Sequence, residues 1–445
     1  MKKSTRKRKG RNTMVVLATL LTAVTLFAVG IIFSPKNPGN QNQHTPGPTE
    51  TETGTPVATP DETPSQTPSA TPEATPEPTP TPTPEPTGQG EDRRSTRKMD
   101  VPVKALYLNP TSVKTKIDHY IELANKTEIN AYVIDIKSDD GRIMYDSQLD
   151  IVNAANADTP GFDIREITKK LHDNNIIVIA RMVTFKDTTI TKYRPELAIK
   201  TENGEVFKQK ESSGSYSMWL DATNKDAWEY VVSVAEEAIQ FGFDEIQFDY
   251  IRFPETSLYN YKINLEPGQE RHDVIEGFIR YARNRLPADT IISADVFGMP
   301  LIATKDYGEI GQSLETIGKS LDYICPMIYP SHYANNAPKG SMSNKVGQTI
   351  NGIKFTHPDL KPYEVVYNTL LVGKSRIEKQ EGYNLNMRPY IQGFTASYLP
   401  DGYWQEYGVE EYRAQIQAVY DAGYTEWIFW NSPNKYVEAA FKPEK

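Results

Sequence analysis

Eight short runs of β-branched and aromatic residues recur along the chain after residue 100, and stretches with helical periodicity separate them. Near-continuous apolar runs are typical of strands buried on both faces, as in parallel sheets. Strands that alternate with helices predict an α/β protein, here a (β/α)₈ TIM barrel. A doubly wound open sheet is the competing fold, but no glycine-rich phosphate loop follows the first run. The runs are Lys104–Asn109, Ile129–Ile136, Ile176–Val183, Glu245–Phe253, Ile291–Phe297, Tyr323–Tyr329, Pro389–Phe394 and Glu426–Trp430.

The helical stretches between the runs carry recognisable ends. The clearest is Lys225–Phe241, which Asn224 can cap at its start and Gly242 can end. The same apolar spacing predicts helices at Asp273–Leu286 and Glu411–Ala422. Residues 93–445 therefore read as one large barrel domain.

The first 92 residues follow a different pattern. Residues 1–13 carry seven Lys and Arg and no acid, and residues 14–34 contain no charged side chain. This order predicts a basic cytoplasmic tail and a transmembrane signal-anchor, which would place the rest of the chain outside the cell. A cleaved signal peptide is the alternative. Residues 35–92 are rich in Thr, Pro and Glu and poor in apolar side chains, which predicts a disordered, extended linker.

Composition narrows the chemistry that the domain can support. The chain has one cysteine, Cys325, which excludes an internal disulfide framework and a multi-cysteine zinc site. Its six histidines show no paired spacing, so we expect no metal and no other cofactor. The net charge is −9, and the excess of acid in the C-terminal domain argues against nucleic acid as a partner.

Carboxylates and aromatic side chains are concentrated at the ends of the predicted strands. Active sites of such barrels lie at the carboxyl ends of the strands. Glycosidic cleavage needs one carboxylic acid to protonate the leaving oxygen and one carboxylate to attack or stabilise the sugar. Aromatic faces stack on sugar rings, and amides and cations bind hydroxyls. The pattern therefore favours carbohydrate chemistry.

Two aspartates are the candidate catalytic residues. Asp249 lies late in the fourth run and is the predicted nucleophile, with a structural ion pair to Arg181 or Arg252 as the alternative. Asp295, on the next run, is the candidate general acid, and a satisfied core carboxylate is its alternative. For Asp135, a structural role beside a neighbouring cation is slightly favoured over a catalytic one. The residues predicted to bind substrate are Asp135, Lys137, Arg181, Tyr250, Arg252, Tyr329, His332, Gln392, Trp430 and Asn431.

The segment Phe243–Pro254, together with Asn130–Lys137, Ile292–Gly298 and Asp322–Tyr333, resembles a family of bacterial TIM-barrel domains described as glycosyl hydrolase-like. The resemblance spans roughly residues 101–437. It implies a glycosidase-like barrel, and it implies no particular substrate. More distantly, Asp249 is placed like the strand-four nucleophile of the α-amylase and α-galactosidase clans.

The sequence departs from the amylase pattern at two positions. Gln247 stands where that clan has an arginine, and Asp295 stands where it has a glutamate as the acid. These departures argue against a direct assignment as an amylase and leave the acid/base assignment open. We expect an extracellular, membrane-anchored glycoside hydrolase that acts on a polysaccharide or cell-surface glycan. Two rival hypotheses remain: a tethered, non-catalytic glycan-binding barrel, and a metal-dependent hydrolase such as a deacetylase, which the histidine pattern disfavours.

Overall fold

Eight parallel strands close into a barrel in chain order. The computed structural model describes Ser95 and residues 99–443, apart from 160, 256–258, 339–341 and 384. Each strand pairs with the next, and the first pairs with the last, with Lys104 opposite Trp427. The predicted barrel is thereby confirmed. The strands are β1 (Lys104–Leu108), β2 (Ala131–Lys137), β3 (Ile177–Val183), β4 (Glu245–Asp249), β5 (Ile291–Phe297), β6 (Tyr323–Ile328), β7 (Tyr390–Gln392) and β8 (Trp427–Trp430).

The predictions for the N-terminal region cannot be compared with the structure. The basic tail (1–13), the transmembrane segment (14–34) and most of the linker (35–92) lie outside the described residues. Across the part of the chain that is described, no helix has the length and apolar character needed to span a bilayer.

Among the described residues, six long helices lie between the strands, and only the first follows its strand directly, whereas longer loops precede the others. The predicted ends of the helix that begins at Lys225 are confirmed. The Asn224 side chain accepts the Asp226 N–H, and Gly242 adopts a φ of 94°. After β5, only the short helices Met299–Ile302 and Leu314–Ile317 occupy the crossover. The long helices are α1 (Pro110–Lys126), α2 (Ile164–His172), α3 (Lys225–Gln240), α4 (Arg271–Arg285), α5 (Pro362–Ile377) and α6 (Val409–Asp421).

Two strands are shorter than their apolar runs. β4 ends at Asp249 because Tyr250 has a φ of 48°, in the left-handed region, which breaks the extended backbone. β7 is limited to three residues, and Pro389, which has no N–H to donate, separates it from the short strand Asn386–Met387. Both interruptions turn the chain at the barrel and set the direction of the side chains that follow.

The barrel interior is more polar than is usual for a packed core. At the amino end of the strands, Glu245 pairs with Arg388 at 2.8 Å, and both side chains are fully buried. One layer higher, the Tyr390 hydroxyl donates to Gln247 Oε1 at 2.6 Å. Alternate residues of a strand face the same side, so the next inward residue of β4 is Asp249, at the carboxyl end.

Candidate active site

A single guanidinium gathers four carboxylates at the carboxyl end of the barrel. Arg181, on β3, donates from Nε and Nη2 to Asp249 Oδ2 and from Nη1 to Asp135 Oδ1. Its Nη2 lies 3.9 Å from Asp139 Oδ1, and its Nε lies 3.8 Å from Asp295 Oδ2. Burial opposes the charge of Arg181, but the surrounding carboxylates raise its pKa well above the ordinary value. The guanidinium is therefore a permanent cation at the centre of an acidic cluster.

The two candidate catalytic residues share this arginine. Arg181 Nε lies 3.0 Å from Asp249 Oδ2 and 3.8 Å from Asp295 Oδ2, so the two oxygens are at most about 6.8 Å apart. Carboxyl groups about 5–5.5 Å apart are typical of retaining glycosidases, and separations of about 6.5–9.5 Å are typical of inverting ones. The limit applies to the two Oδ2 atoms that face Arg181, and it is compatible with the spacing of a retaining site.

Asp295 and Asp249 have opposite surroundings. Burial raises the pKa of Asp295 well above its usual range, the charge of Asp249 raises it further, and Arg181 only partly opposes both. Its Oδ1 is buried and accepts no hydrogen bond from the described residues. Asp249, in contrast, receives Arg181 on one oxygen and the Tyr250 N–H on the other at 2.6 Å. The site therefore combines a buried aspartate whose pKa is raised, Asp295, with an aspartate that hydrogen-bond donors surround, Asp249.

Asp135 is a partner of the arginine. Besides Arg181, it accepts a hydrogen bond of 2.5 Å from the Tyr107 hydroxyl, and burial raises its pKa. The Tyr107 ring in turn lies 5.7 Å below the guanidinium carbon. This geometry corresponds to the structural alternative for Asp135, and Tyr107 is a site neighbour that the sequence reading did not select.

Aromatic rings form the opposite side of the mouth. Trp430 stacks on Tyr329 at 5.7 Å with an interplanar angle of 29°, and Phe394 meets both rings edge-on. His332 packs against Tyr329 at 5.2 Å. Trp430 is partly exposed, whereas Tyr329 is buried. We call Tyr329, His332, Phe394 and Trp430 the aromatic wall. Phe394 ends its apolar run, which is the signal that could have identified it.

Comparison with known proteins places this architecture in a family. Residues 105–436 match the model of the family described as "Putative glycosyl hydrolase domain". The chain belongs to this glycosyl hydrolase family. No curated protein is significantly similar to it.

Three solved structures are similar to this chain to different extents. The glycoside hydrolase domain of PgaB (BpsB) from Bordetella bronchiseptica has a TM-score of 0.53 at 11% identity, covering 77% of this chain and 100% of that chain. An α-galactosidase from Thermus thermophilus has a TM-score of 0.46 at 11% identity, covering 76% and 60%. A hypothetical protein from Ruminiclostridium thermocellum is 44% identical with a TM-score of 0.40, covering 43% and 97%. The likeness to the PgaB domain shows a shared fold.

Three residues predicted to bind substrate lie away from the mouth of the glycosyl hydrolase domain. A register shift between Asp135 and Lys137 turns Lys137 out of the barrel, where its ammonium binds Asp187 at 2.8 Å. Gln392 is fully buried, and the Asn431 amide donates to the carbonyls of neighbouring loops. Each of the three has its polar atoms committed to other parts of the fold.

Tyr250 and Arg252 form a layer beside the carboxylates. The Tyr250 hydroxyl lies 3.5 Å from Asp139 Oδ2. The Arg252 guanidinium lies over the rings of Trp219, Tyr250 and Phe297 at 4.9–5.2 Å. Arg252 is buried and is not the partner of Asp249, which pairs with Arg181. These two residues follow the carboxyl end of β4 and pack against each other beside the acidic cluster.

Proposed function

We propose that the chain is a retaining glycoside hydrolase that cleaves O-glycosidic bonds in a polysaccharide or cell-surface glycan. The observation that carries the proposal is the pair of aspartates around Arg181. Their Oδ2 atoms lie at most about 6.8 Å apart, and of these two aspartates Asp295 is the one that has a buried oxygen without a donor among the described residues. Double displacement requires a carboxylate and a carboxylic acid about 5–5.5 Å apart, a spacing that this upper limit allows.

The first step uses both groups at once. Asp295 donates its proton to the glycosidic oxygen as the bond to the anomeric carbon breaks, and a carboxylate oxygen of Asp249 bonds to that carbon. The leaving sugar departs as an alcohol, and the first sugar remains as an ester on Asp249. Arg181 keeps Asp135 as a counter-ion when Asp249 loses its charge, so the buried cation stays compensated.

The second step reverses these roles. The negative charge of Asp249 is one of the causes that raise the pKa of Asp295, and the ester removes that charge. The pKa of Asp295 therefore falls in the intermediate, which makes its carboxylate a suitable base for water. Water attacks the anomeric carbon, Asp295 takes the water proton, and Asp249 is released as a carboxylate.

A polymeric substrate is supported by the surface around the mouth. The partly exposed Trp430 offers a ring face of the kind that stacks on sugars. A cavity of about 580 Å³ lies between the loops that follow β3 and β4, and none of its lining residues belongs to the acidic cluster or to the aromatic wall. Its lining combines rings with hydrogen-bonding groups: Thr201, Glu205, Val206, Phe207, Lys208, Tyr259 and Asn260.

We further propose that the hydrolase is anchored in the membrane with its barrel outside the cell. The basic residues 1–13 and the uncharged residues 14–34 support this orientation, and the Thr/Pro/Glu-rich linker would hold the domain away from the bilayer. Fractionation of cells that express the full chain, followed by external protease treatment, tests the topology. Intact N-terminal mass from the membrane fraction distinguishes an anchor from a cleaved signal peptide.

A non-catalytic glycan-binding barrel is the second candidate, and one observation favours it. The Asp249 side chain is only 9% exposed, and Arg181 donates twice to one of its oxygens. A purely structural ion pair would have this geometry. The aromatic wall would then bind glycans without turnover.

A hydrolysis and binding screen on bacterial polysaccharides distinguishes the two candidates. Asp249→Asn and Asp295→Asn are compared with Asp322→Asn, which disturbs a similarly buried ion pair, Asp322–Arg283 at 2.5 Å, at the amino end of the barrel. We expect the unmodified chain and Asp322→Asn to release reducing ends, and Asp295→Asn to be slower by about 10²–10⁴-fold. Binding without cleavage by the unmodified chain would support the glycan-binding barrel, and undiminished cleavage by folded Asp249→Asn would reject the nucleophile.

A further inference from the structure

A row of buried hydrogen bonds runs behind the aromatic wall, from Asp359 to His332. The Gln392 amide nitrogen donates to Asp359 Oδ1 at 2.9 Å and to the Phe394 carbonyl at 3.0 Å. Both partners are acceptors, so the nitrogen and oxygen of this amide cannot be exchanged. Gln392 Oε1 therefore faces Ser331, whose N–H it accepts at 3.1 Å.

The Ser331 hydroxyl has one proton, and the network decides where it goes. Its Oγ lies 2.8 Å from Gln392 Oε1, an oxygen that has no proton to give. The hydroxyl must therefore donate to Gln392. Tyr398 donates to the same Oγ at 3.1 Å. Ser331 Oγ can therefore accept a hydrogen bond from its remaining neighbour but cannot donate one to it.

That neighbour is the His332 ring. Nδ1 of His332 lies 3.0 Å from Ser331 Oγ. Since the serine proton is committed to Gln392, Nδ1 must carry the proton of this hydrogen bond. Burial lowers the pKa of His332 to about 3, so the imidazole is neutral at neutral pH and has a single proton. Its Nε2 is then an acceptor.

His332 belongs to the aromatic wall, at 5.2 Å from Tyr329 and 6.0 Å from Phe394. We propose that Gln392 is a positioning residue, which acts through Ser331 to hold His332 as the Nδ1–H tautomer with Nε2 as an acceptor for a sugar hydroxyl. The proton on Nδ1 follows from the hydrogen-bond geometry, the lack of a second proton follows from the burial of the ring, and the role toward a sugar rests on the proposed function.

The tautomer can be measured without any substrate. Nitrogen-15 NMR of the full chain, labelled at histidine, separates protonated from unprotonated ring nitrogens. Comparison with His332→Gln assigns the signals of His332 among the six histidines. We expect a protonated Nδ1 and an unprotonated Nε2 from pH 5 to pH 8. A protonated Nε2 in that range would overturn the assignment.

Two variants test whether Ser331 determines the tautomer of His332. Ser331→Ala removes the acceptor, and we expect the His332 proton to move to Nε2 in at least part of the population. Tyr398→Phe removes a donor to the same oxygen but leaves the serine proton on Gln392, so we expect the tautomer to be unchanged. A Ser331→Ala chain that keeps the full Nδ1–H signature would refute the relay.

The sugar contact has a separate readout. With a glycan that the hydrolysis screen identifies, His332→Phe should raise KM by about fivefold, the value of one neutral hydrogen bond, with little change in kcat. His332→Gln, whose amide oxygen also accepts, should recover part of this loss. An unchanged KM in His332→Phe would reject the contact while the NMR result still stands, and a chain that cleaves no glycan would reject the proposed function without affecting the tautomer.

Discussion

Removing the central cation should make the stability of the barrel strongly dependent on pH. Arg181→Met keeps a side chain of similar length but leaves Asp135, Asp249 and Asp295 together without a counter-ion. The ion-paired side chains are 9–12% exposed, so solvent can replace little of the lost interaction. The variant must relieve the repulsion by binding protons or by unfolding.

The expected loss of stability follows from the free energy needed to keep one aspartate protonated. An aspartate with an ordinary pKa near 3.9 needs about 4 kcal/mol to stay protonated at pH 7 and about 1.5 kcal/mol at pH 5, at 1.36 kcal/mol per pH unit. Breaking a buried ion pair typically costs about 3–5 kcal/mol, which agrees with the first figure. We expect Arg181→Met to lower the free energy of unfolding by about 4 kcal/mol at pH 7 and by about 1.5 kcal/mol at pH 5.

Urea unfolding of both chains at the two pH values provides the assay. Arg181→Met/Asp249→Asn serves as the control, because removal of one carboxylate should restore part of the stability at pH 7. An equal loss at pH 5 and pH 7, or a double variant less stable than the single one, would show that the acidic cluster does not depend on Arg181.

Three further outcomes follow from the same structure. Burial raises the pKa of Asp359 from 3.8 to about 6, so the folded chain holds this proton longer than the unfolded chain, and its contribution to stability falls as pH rises from about 4 to about 6. Unfolding measured across that range should show this decrease in the parent chain and not in Asp359→Ala. Lys137→Met should destabilise the fold by about 3–5 kcal/mol in thermal or urea unfolding, because it strands the fully buried Asp187, whereas a substrate-binding role would change KM in a chain of normal stability. Trp430→Ala should weaken glycan binding in affinity electrophoresis by about five- to tenfold, the value of ring stacking, and equal retention of both chains would exclude Trp430 as a sugar platform.

The strand pattern was sufficient to predict that Asp249, Asp295 and Arg181 lie close together. Asp249, Asp295 and Arg181 end neighbouring runs, and carboxyl ends of parallel strands meet at one edge, so their proximity follows from topology. Alternation along β4 also explains why Asp249 faces inward. What the pattern could not show was that Arg181 would pair with Asp249 and Asp135 at the same time, since this depends on rotamers across three strands.

The sequence pattern did not predict the positions of several other side chains. At these residues the backbone departs from regular geometry, or a loop returns to the barrel. Regular alternation along β2 would point the Lys137 side chain into the barrel, and the register shift before this residue turns it outward. Gln392 is sequestered by Asp359, which lies 33 positions earlier in a crossover that has no strand periodicity. Phe394 and Tyr107 complete the site through ring contacts between runs that are distant in sequence.

The covalent intermediate on Asp249 is the most direct measurement of the proposed mechanism. Asp295→Asn, incubated with an activated 2-fluoro glycoside of a sugar released in the screen, should accumulate a glycosyl ester, because the leaving group needs no acid and the base for water is absent. Peptide mass spectrometry should locate the added mass on Asp249. Turnover of that glycoside with no adduct on Asp249, or an adduct on another carboxylate, would contradict the account.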